Sequence, residues 1–181
     1  SMHPLKSLKV VGDGGMITTN DTKIANWIRK YRNHGMLNRD YIDFWGVNSR
    51  LQPLQAIVAM HGLKDLRSII IKRNKNAKML DNYLTDIKYV SIPKRVKKNV
   101  ETFALYMGLF EKRDELLNNL IKNNIEAKIH YPLPLHLQKA SNKLGYNKGS
   151  FPVAENQADK LLTLPVHQYL NSKHMKYIVT K

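Results

Sequence analysis

Ser1-Met2-His3-Pro4-Leu5-Lys6-Ser7-Leu8, followed by Val10-Val11-Gly12-Asp13-Gly14-Gly15-Met16-Ile17-Thr18-Thr19, is the stretch on which the reading of this chain turns. A lysine stands just before a turn rich in glycine. In its neutral form a lysine amine makes a Schiff base with a carbonyl compound. Burial or a nearby positive group lowers its pKa and favours that form. Ser1 offers a short hydroxyl able to bond a phosphate oxygen, and the glycines permit a tight turn and close backbone approach to a ligand. Taken alone, the same residues equally describe one surface lysine beside an ordinary β-turn.

Outward from that stretch, residues 16–19 read as a short strand. Asn20-Asp21 reads as a turn and helix cap, and Ile24, Ala25, Trp27, Ile28 and Tyr31 then recur at helical spacing, up to an expected end near Gly35. Residues 36–49 have no period and read as a loop. Its Tyr41, Phe44 and Trp45 are more aromatics than a solvated loop needs, which points to a covered site or a partner surface. Residues 52–84 carry a long helical pattern, with Pro53 in the first turn, where a missing N–H costs nothing. Beyond it the spacing predicts strands near 89–92, 102–110 and 125–129 and helices over 112–123, 153–162 and 172–179. His130-Tyr131-Pro132-Leu133-Pro134 cannot be regular structure and reads as an exposed or site-lining turn.

The chain has 181 residues and is 43% hydrophobic, which is rich enough for a folded core. It has no cysteine, excluding a disulfide framework, a thiolate metal site and a cysteine nucleophile. No apolar run approaches the roughly 18 residues of a membrane span, and no charged-then-apolar N-terminal segment marks a secretory signal. A cytoplasmic protein with no membrane partner is expected. The formal net charge is +16, from 30 Lys and Arg against 14 Asp and Glu. That balance suits an anionic partner: nucleic acid, a phosphorylated cofactor or a nucleotide-linked substrate. It equally suits a basic solvated surface, since the positive residues are spread along the chain. Its densest patch, Lys94, Arg95, Lys97 and Lys98, lacks the companions of a nucleic-acid site, and no nucleic-acid partner is expected. No pair of histidines has metal-ligand spacing with an acidic third ligand, so no metal is expected.

Several further segments, in order, carry a resemblance. They are Arg32-Asn33-His34-Gly35, Gly46-Val47-Asn48-Ser49-Arg50-Leu51 with Leu54-Gln55-Ala56, His130-Tyr131-Pro132-Leu133-Pro134-Leu135-His136, Leu144-Gly145-Tyr146, Phe151-Pro152-Val153-Ala154-Glu155 and Leu162-Thr163-Leu164-Pro165-Val166-His167. With the lysine stretch they resemble the DegT/DnrJ/EryC1/StrS aminotransferases, which act on nucleotide-linked keto sugars. Each motif is weak; their joint order is specific and covers the whole chain. Two departures stand out. Ala104 occupies a strand position where a histidine is common, and Lys122-Asn123-Asn124-Ile125 lacks the glycine of the usual Lys-x-Gly-Ile segment.

The resemblance implies an α/β fold, namely the C-terminal part of a fold-type I pyridoxal-phosphate-dependent transferase. It would comprise a partial large, cofactor-binding domain over 1–65, a linking helix over 66–85 and a small α+β domain over 86–181. It also implies the cofactor, pyridoxal 5′-phosphate, held covalently by Lys6, which then serves as the proton-moving base. Ser1 matches a phosphate-binding hydroxyl. Asn48 matches a residue reaching the cofactor phosphate of the neighbouring subunit, so a homodimer with a shared site is implied. His130 and Tyr131 match a loop near the substrate. Arg50 either supports the Asn48 loop or meets substrate phosphate. The implied partners are a nucleoside-diphosphate keto sugar and an amino-acid donor, expected to be glutamate. The family's acidic partner for the pyridine nitrogen and its ring-stacking residue have no match here, so this chain is expected to be an incomplete part of the enzyme. The rival reading is a non-catalytic binding or interaction protein retaining the small domain and the dimer surface.

Overall fold

The computed structural model describes residues 1–181 and divides the chain into two compact units, Ser1–Arg67 and Ser68–Lys181. The helix α2, Pro53–Leu84, begins in the first and ends in the second.

In the first unit, residues 1–15 fold into a loop rather than a strand. Backbone bonds from Met2 N–H to Gly14 O (2.7 Å) and from Val10 N–H to Met2 O (2.9 Å) close its base. Met2 and Val10 are buried against Ala59 of α2, with Leu8 and Leu51 beside them. The helix α1 spans Thr22–Tyr31. Asp21 caps it, its carboxylate accepting from the Lys23 and Ile24 N–H groups that the first turn would otherwise leave unpaired. Although its apolar residues share one face, α1 buries none of them: Ile24 and Trp27 are half exposed. Trp27 stacks on Tyr31 (4.8 Å between centroids) and on Phe44 (5.4 Å) of the loop beyond. That loop returns at Gly35 and Gly46, where backbone meets backbone. A Cβ on Gly35 would lie 1.6 Å from Phe44 O, and one on Gly46 would lie 2.4 Å from Gly35 N.

The second unit has a proper core. β1 (Val90–Ser91), β2 (Tyr106–Phe110) and β3 (Leu161–Leu164) form an antiparallel sheet in the order β1-β2-β3. The helices α3 (Arg113–Lys122), α4 (Pro152–Lys160) and α5 (Ser172–Val179) surround it. Leu80, Tyr106, Leu120, Leu162 and Met175 are almost wholly buried there, each burial worth about 1.5–3 kcal/mol. Polar side chains tie the end of α2 to this core. Arg73 donates to Phe103 O (2.7 Å), and Asn76 donates to His167 O (2.9 Å). Asp81 accepts from Arg95 and from the Tyr106 hydroxyl (2.7 Å). Burial and then that hydrogen bond push the Tyr106 hydroxyl pKa well above the usual phenol range.

Five expectations about elements need correction. α1 ends at Tyr31 rather than near Gly35, because Asn33 leaves the helix to pair with Asn48. Residues 16–19 form no strand, because no neighbouring strand pairs with them in this chain; Met16 and Ile17 are exposed. The strand expected from 102 starts at Tyr106, because Phe103 turns to φ 45° and its carbonyl goes to Arg73 instead of a ladder. Residues 125–129 meet β3 only at Lys128 opposite Thr163; the Ala127 N–H turns back onto Ile125 O and ends the ladder. The helix expected to reach 162 stops at Lys160, and Leu161–Leu164 is the strand β3. A short buried apolar run reads the same at helical or strand spacing. The long helix, α3, α5 and the 36–49 loop lie where the spacing puts them, within a residue or two.

Candidate active site

The first unit holds an open cleft of ≈ 1150 Å³, with Ser1, Gly14, Arg29, Arg32, Asn48 and Arg50 on its walls. Arg29 and Arg32 come from α1 and its C-cap, and Ser1 and Gly14 come from the two ends of the lysine loop. Asn48 and Arg50 lie two apart on extended chain, so their side chains leave on one face. Asn48 pairs antiparallel with Asn33, flanked by bonds from His34 N–H to Val47 O (3.0 Å) and from Ser49 N–H to Arg32 O (2.8 Å). This is the closer, non-hydrogen-bonded kind of pair, which sets the two side chains next to each other. Arg50 joins them, its Nε donating to Asn48 Oδ1 (3.0 Å) and its Nη1 to Asn33 Oδ1 (3.2 Å).

Lys6 is half-buried in the loop and is not on the cleft's lining. Its N–H donates to His3 O (2.9 Å), and the His3 ring is tied locally, Nδ1 accepting from Leu5 N–H (3.2 Å). Gln55 steadies the glycine turn by donating to both Val11 O and Asp13 O (2.9 Å each). Sequence reasoning quoted Gln55 within a motif without giving it that job. The structure thus brings Ser1, Asn48 and Arg50 to one cleft and sets Lys6 in the loop that helps to build it.

His130 and Tyr131 belong to the second unit. The Thr163 hydroxyl donates its only proton to Lys128 O (2.7 Å), so it accepts from His130 Nδ1 (3.0 Å). The neutral ring therefore carries its proton on Nδ1 and offers the Nε2 lone pair outward. Thr163 is buried and went unnoticed as a partner, because it lies far along the sequence from His130. Tyr131 is exposed, edge-on to the His130 ring. His136 is structural: its Nε2 lies 2.8 Å from Glu155, whose carboxylate also accepts from the Gly149 and Phe151 N–H groups. The Gly149 N–H is the main reason the Glu155 carboxyl is held below the usual range, His136 adding to it.

The sequence profile described as the DegT/DnrJ/EryC1/StrS aminotransferase family matches residues 1–181. The chain belongs to that family. Among its relatives is the UDP-2-acetamido-2-deoxy-3-oxo-D-glucuronate aminotransferase of Pseudomonas aeruginosa, 33% identical over 98% of this chain and 48% of the relative. Another is a protein of Geobacillus stearothermophilus called a pleiotropic regulatory protein, 37% identical over the whole of this chain and 49% of the relative. The crystal structure of Streptomyces venezuelae DesV in complex with a ketimine intermediate superposes with a TM-score of 0.92 at 30% identity, covering 99% of this chain and 48% of DesV. The chain spans about half the length of the relatives it matches. Its fold is that expected for the C-terminal part of a fold-type I pyridoxal-phosphate-dependent aminotransferase, and no helix is long and apolar enough to cross a membrane.

Proposed function

We propose that this member of the DegT/DnrJ/EryC1/StrS family supplies the lysine and phosphate contacts of a pyridoxal-phosphate-dependent aminotransferase. That enzyme moves an amino group from an amino acid, glutamate, onto a keto sugar carried by a nucleoside diphosphate. The observation that carries the reading is the basic cleft beside the lysine loop, with Ser1, Arg29 and Arg32 on its walls and Asn48 held at its edge by Arg50.

The cleft suits the phosphate end of the cofactor. Its side-chain donors are four hydroxyls, two amides and three guanidinium groups, against a single carboxylate residue, Asp13. It does not supply the other end, because no aromatic ring lines it and Asp13 is exposed. The acidic partner and the stacking ring therefore come from outside these residues, and this chain is an incomplete part of the enzyme. When bound, the cofactor acts as an electron sink for the carbon that gains or loses its proton. Lys6 Nζ holds the cofactor and is the base that carries that proton. Ser1, by its hydroxyl, holds the phosphate of the cofactor in its own subunit, and Asn48 reaches the cofactor phosphate of the neighbouring subunit in a homodimer. His130, through its Nε2 lone pair, accepts from a substrate hydroxyl, and Tyr131 lies with it on the substrate loop. The cytoplasm, where nucleotide sugars and glutamate are at hand, is the place of action.

Borohydride reduction with excess pyridoxal 5′-phosphate, followed by peptide mapping, tests this. The expected result is an adduct on Lys6 that forms before any other lysine reacts and is missing from Lys6→Ala. Modification spread evenly over the surface lysines overturns the assignment. That outcome would favour the second reading, a non-catalytic interaction protein, which the regulatory name of the Geobacillus relative supports.

A further inference from the structure

We infer that Arg50 is a positioning residue. It turns the side-chain amides of Asn33 and Asn48 so that their NH2 groups face away from it, and it serves a bound phosphate by aiming Asn48. The inference rests on the proposed cofactor site and assigns Arg50 a part in it.

The argument is a count of protons. A guanidinium has five N–H donors and no acceptor. Whatever hydrogen-bonds to it must present an oxygen. Asn48 Oδ1 lies 3.0 Å from Nε, and Asn33 Oδ1 lies 3.2 Å from Nη1. Both amide orientations are thereby fixed without reference to any ligand. With Oδ1 committed, the group that Asn48 can offer to a neighbouring subunit's phosphate is its NH2, which suits an anionic oxygen and repels a donor. Without Arg50 the amide is free to flip, and half of its orientations would point a carbonyl at the phosphate. The backbone supports the same arrangement. Asn33 and Asn48 face each other across a close antiparallel pair, and Arg50 stands two residues on, on the same face.

The planar fork matters as well as the charge. A lysine ammonium is a single point on a flexible stem, whereas Nε and Nη1 reach two oxygens at a fixed spacing. The Asn-x-Arg spacing is therefore read as one device: a donor and the clamp that aims it.

The probes are pyridoxamine 5′-phosphate and pyridoxamine, which share the ring but not the phosphate and do not react with lysines. Their dissociation constants are measured by titration for the 181-residue chain and for Asn48→Ala, Arg50→Gln, Arg50→Lys and the Asn48→Ala, Arg50→Gln double variant. The phosphate preference, the ratio of the two constants, is the readout, since general destabilisation weakens both probes alike. The expected result is that Asn48→Ala, Arg50→Gln and Arg50→Lys each lower the preference about tenfold, and the double variant no further. If Arg50→Lys keeps the preference, or if the losses in the double variant multiply, Arg50 acts independently of the Asn48 amide and the inference is overturned. If Asn48→Ala leaves the preference unchanged, the cofactor reading of Asn48 fails, and the role of Arg50 fails with it.

Discussion

The two units differ in what they keep from water. Ser68–Lys181 buries Leu80, Tyr106, Leu120, Leu162 and Met175 almost completely around its sheet. Ser1–Arg67 buries Met2, Val10 and Ala59 and leaves Ile17, Trp27, Trp45 and Leu54 largely exposed. Ser68–Lys181 is held by side-chain packing. Ser1–Arg67 is held by backbone closures, a helix cap, ring stacking and the Arg50 clamp, all of them local or polar. A cleft built this way is shaped by hydrogen bonds, and its apolar faces are unused within the chain.

That contrast can be broken most forcefully in the cores. Leu162→Ala should cost about 2–5 kcal/mol, because it removes a wholly buried side chain and leaves a cavity. Trp27→Ala, which removes a half-exposed ring and its stacking on Tyr31 and Phe44, should cost about 0.5–1.5 kcal/mol. Urea denaturation of the two variants measures the difference, and equal losses would remove the distinction. A smaller contrast lies in the ion pairs. Asp81→Ala strands the buried Tyr106 hydroxyl, leaves Arg95 with Glu101 alone and should cost about 1–3 kcal/mol. Asp43→Ala breaks the Lys30 pair, which is partly exposed, and should cost under about 1 kcal/mol. Amide exchange, followed unit by unit, would show each loss confined to its own unit.

The smallest effect is one of pH. The Glu155 carboxyl has its pKa lowered in the folded chain, chiefly by the Gly149 N–H, so the charged form favours folding. Its contribution is whole above the ordinary glutamate value, about 4.3, and fades as pH falls through the lower folded value. Thermal melts across that acid range should show the second unit losing ground in the wild type. Glu155→Gln should start lower at neutral pH and show a shallower decline.

Much of this was legible from residue order alone. Helical spacing located α1 and the long helix, and Asp21 announced its cap. What spacing could not give was pairing. Leu161–Leu164 is a strand because β2 lies beside it, and a short apolar run holds no record of its neighbour. Residues 16–19 look like a strand and find no partner. At the site, the ordered motifs marked Lys6, Ser1, Asn48 and Arg50 through resemblance. The reach of Arg50 to Asn33 and the tie between His130 and Thr163 each join residues far apart in sequence, and only folding brings them together.

The glycine contact at 35 and 46 has a practical side. For anyone diversifying this loop by library, those two columns admit a single letter, because a methyl group at either would sit inside another residue's main chain. Between them, Leu37, Asn38, Arg39 and Asp40 are exposed, so new sequence can be grafted there while the hinge of the loop stays shut.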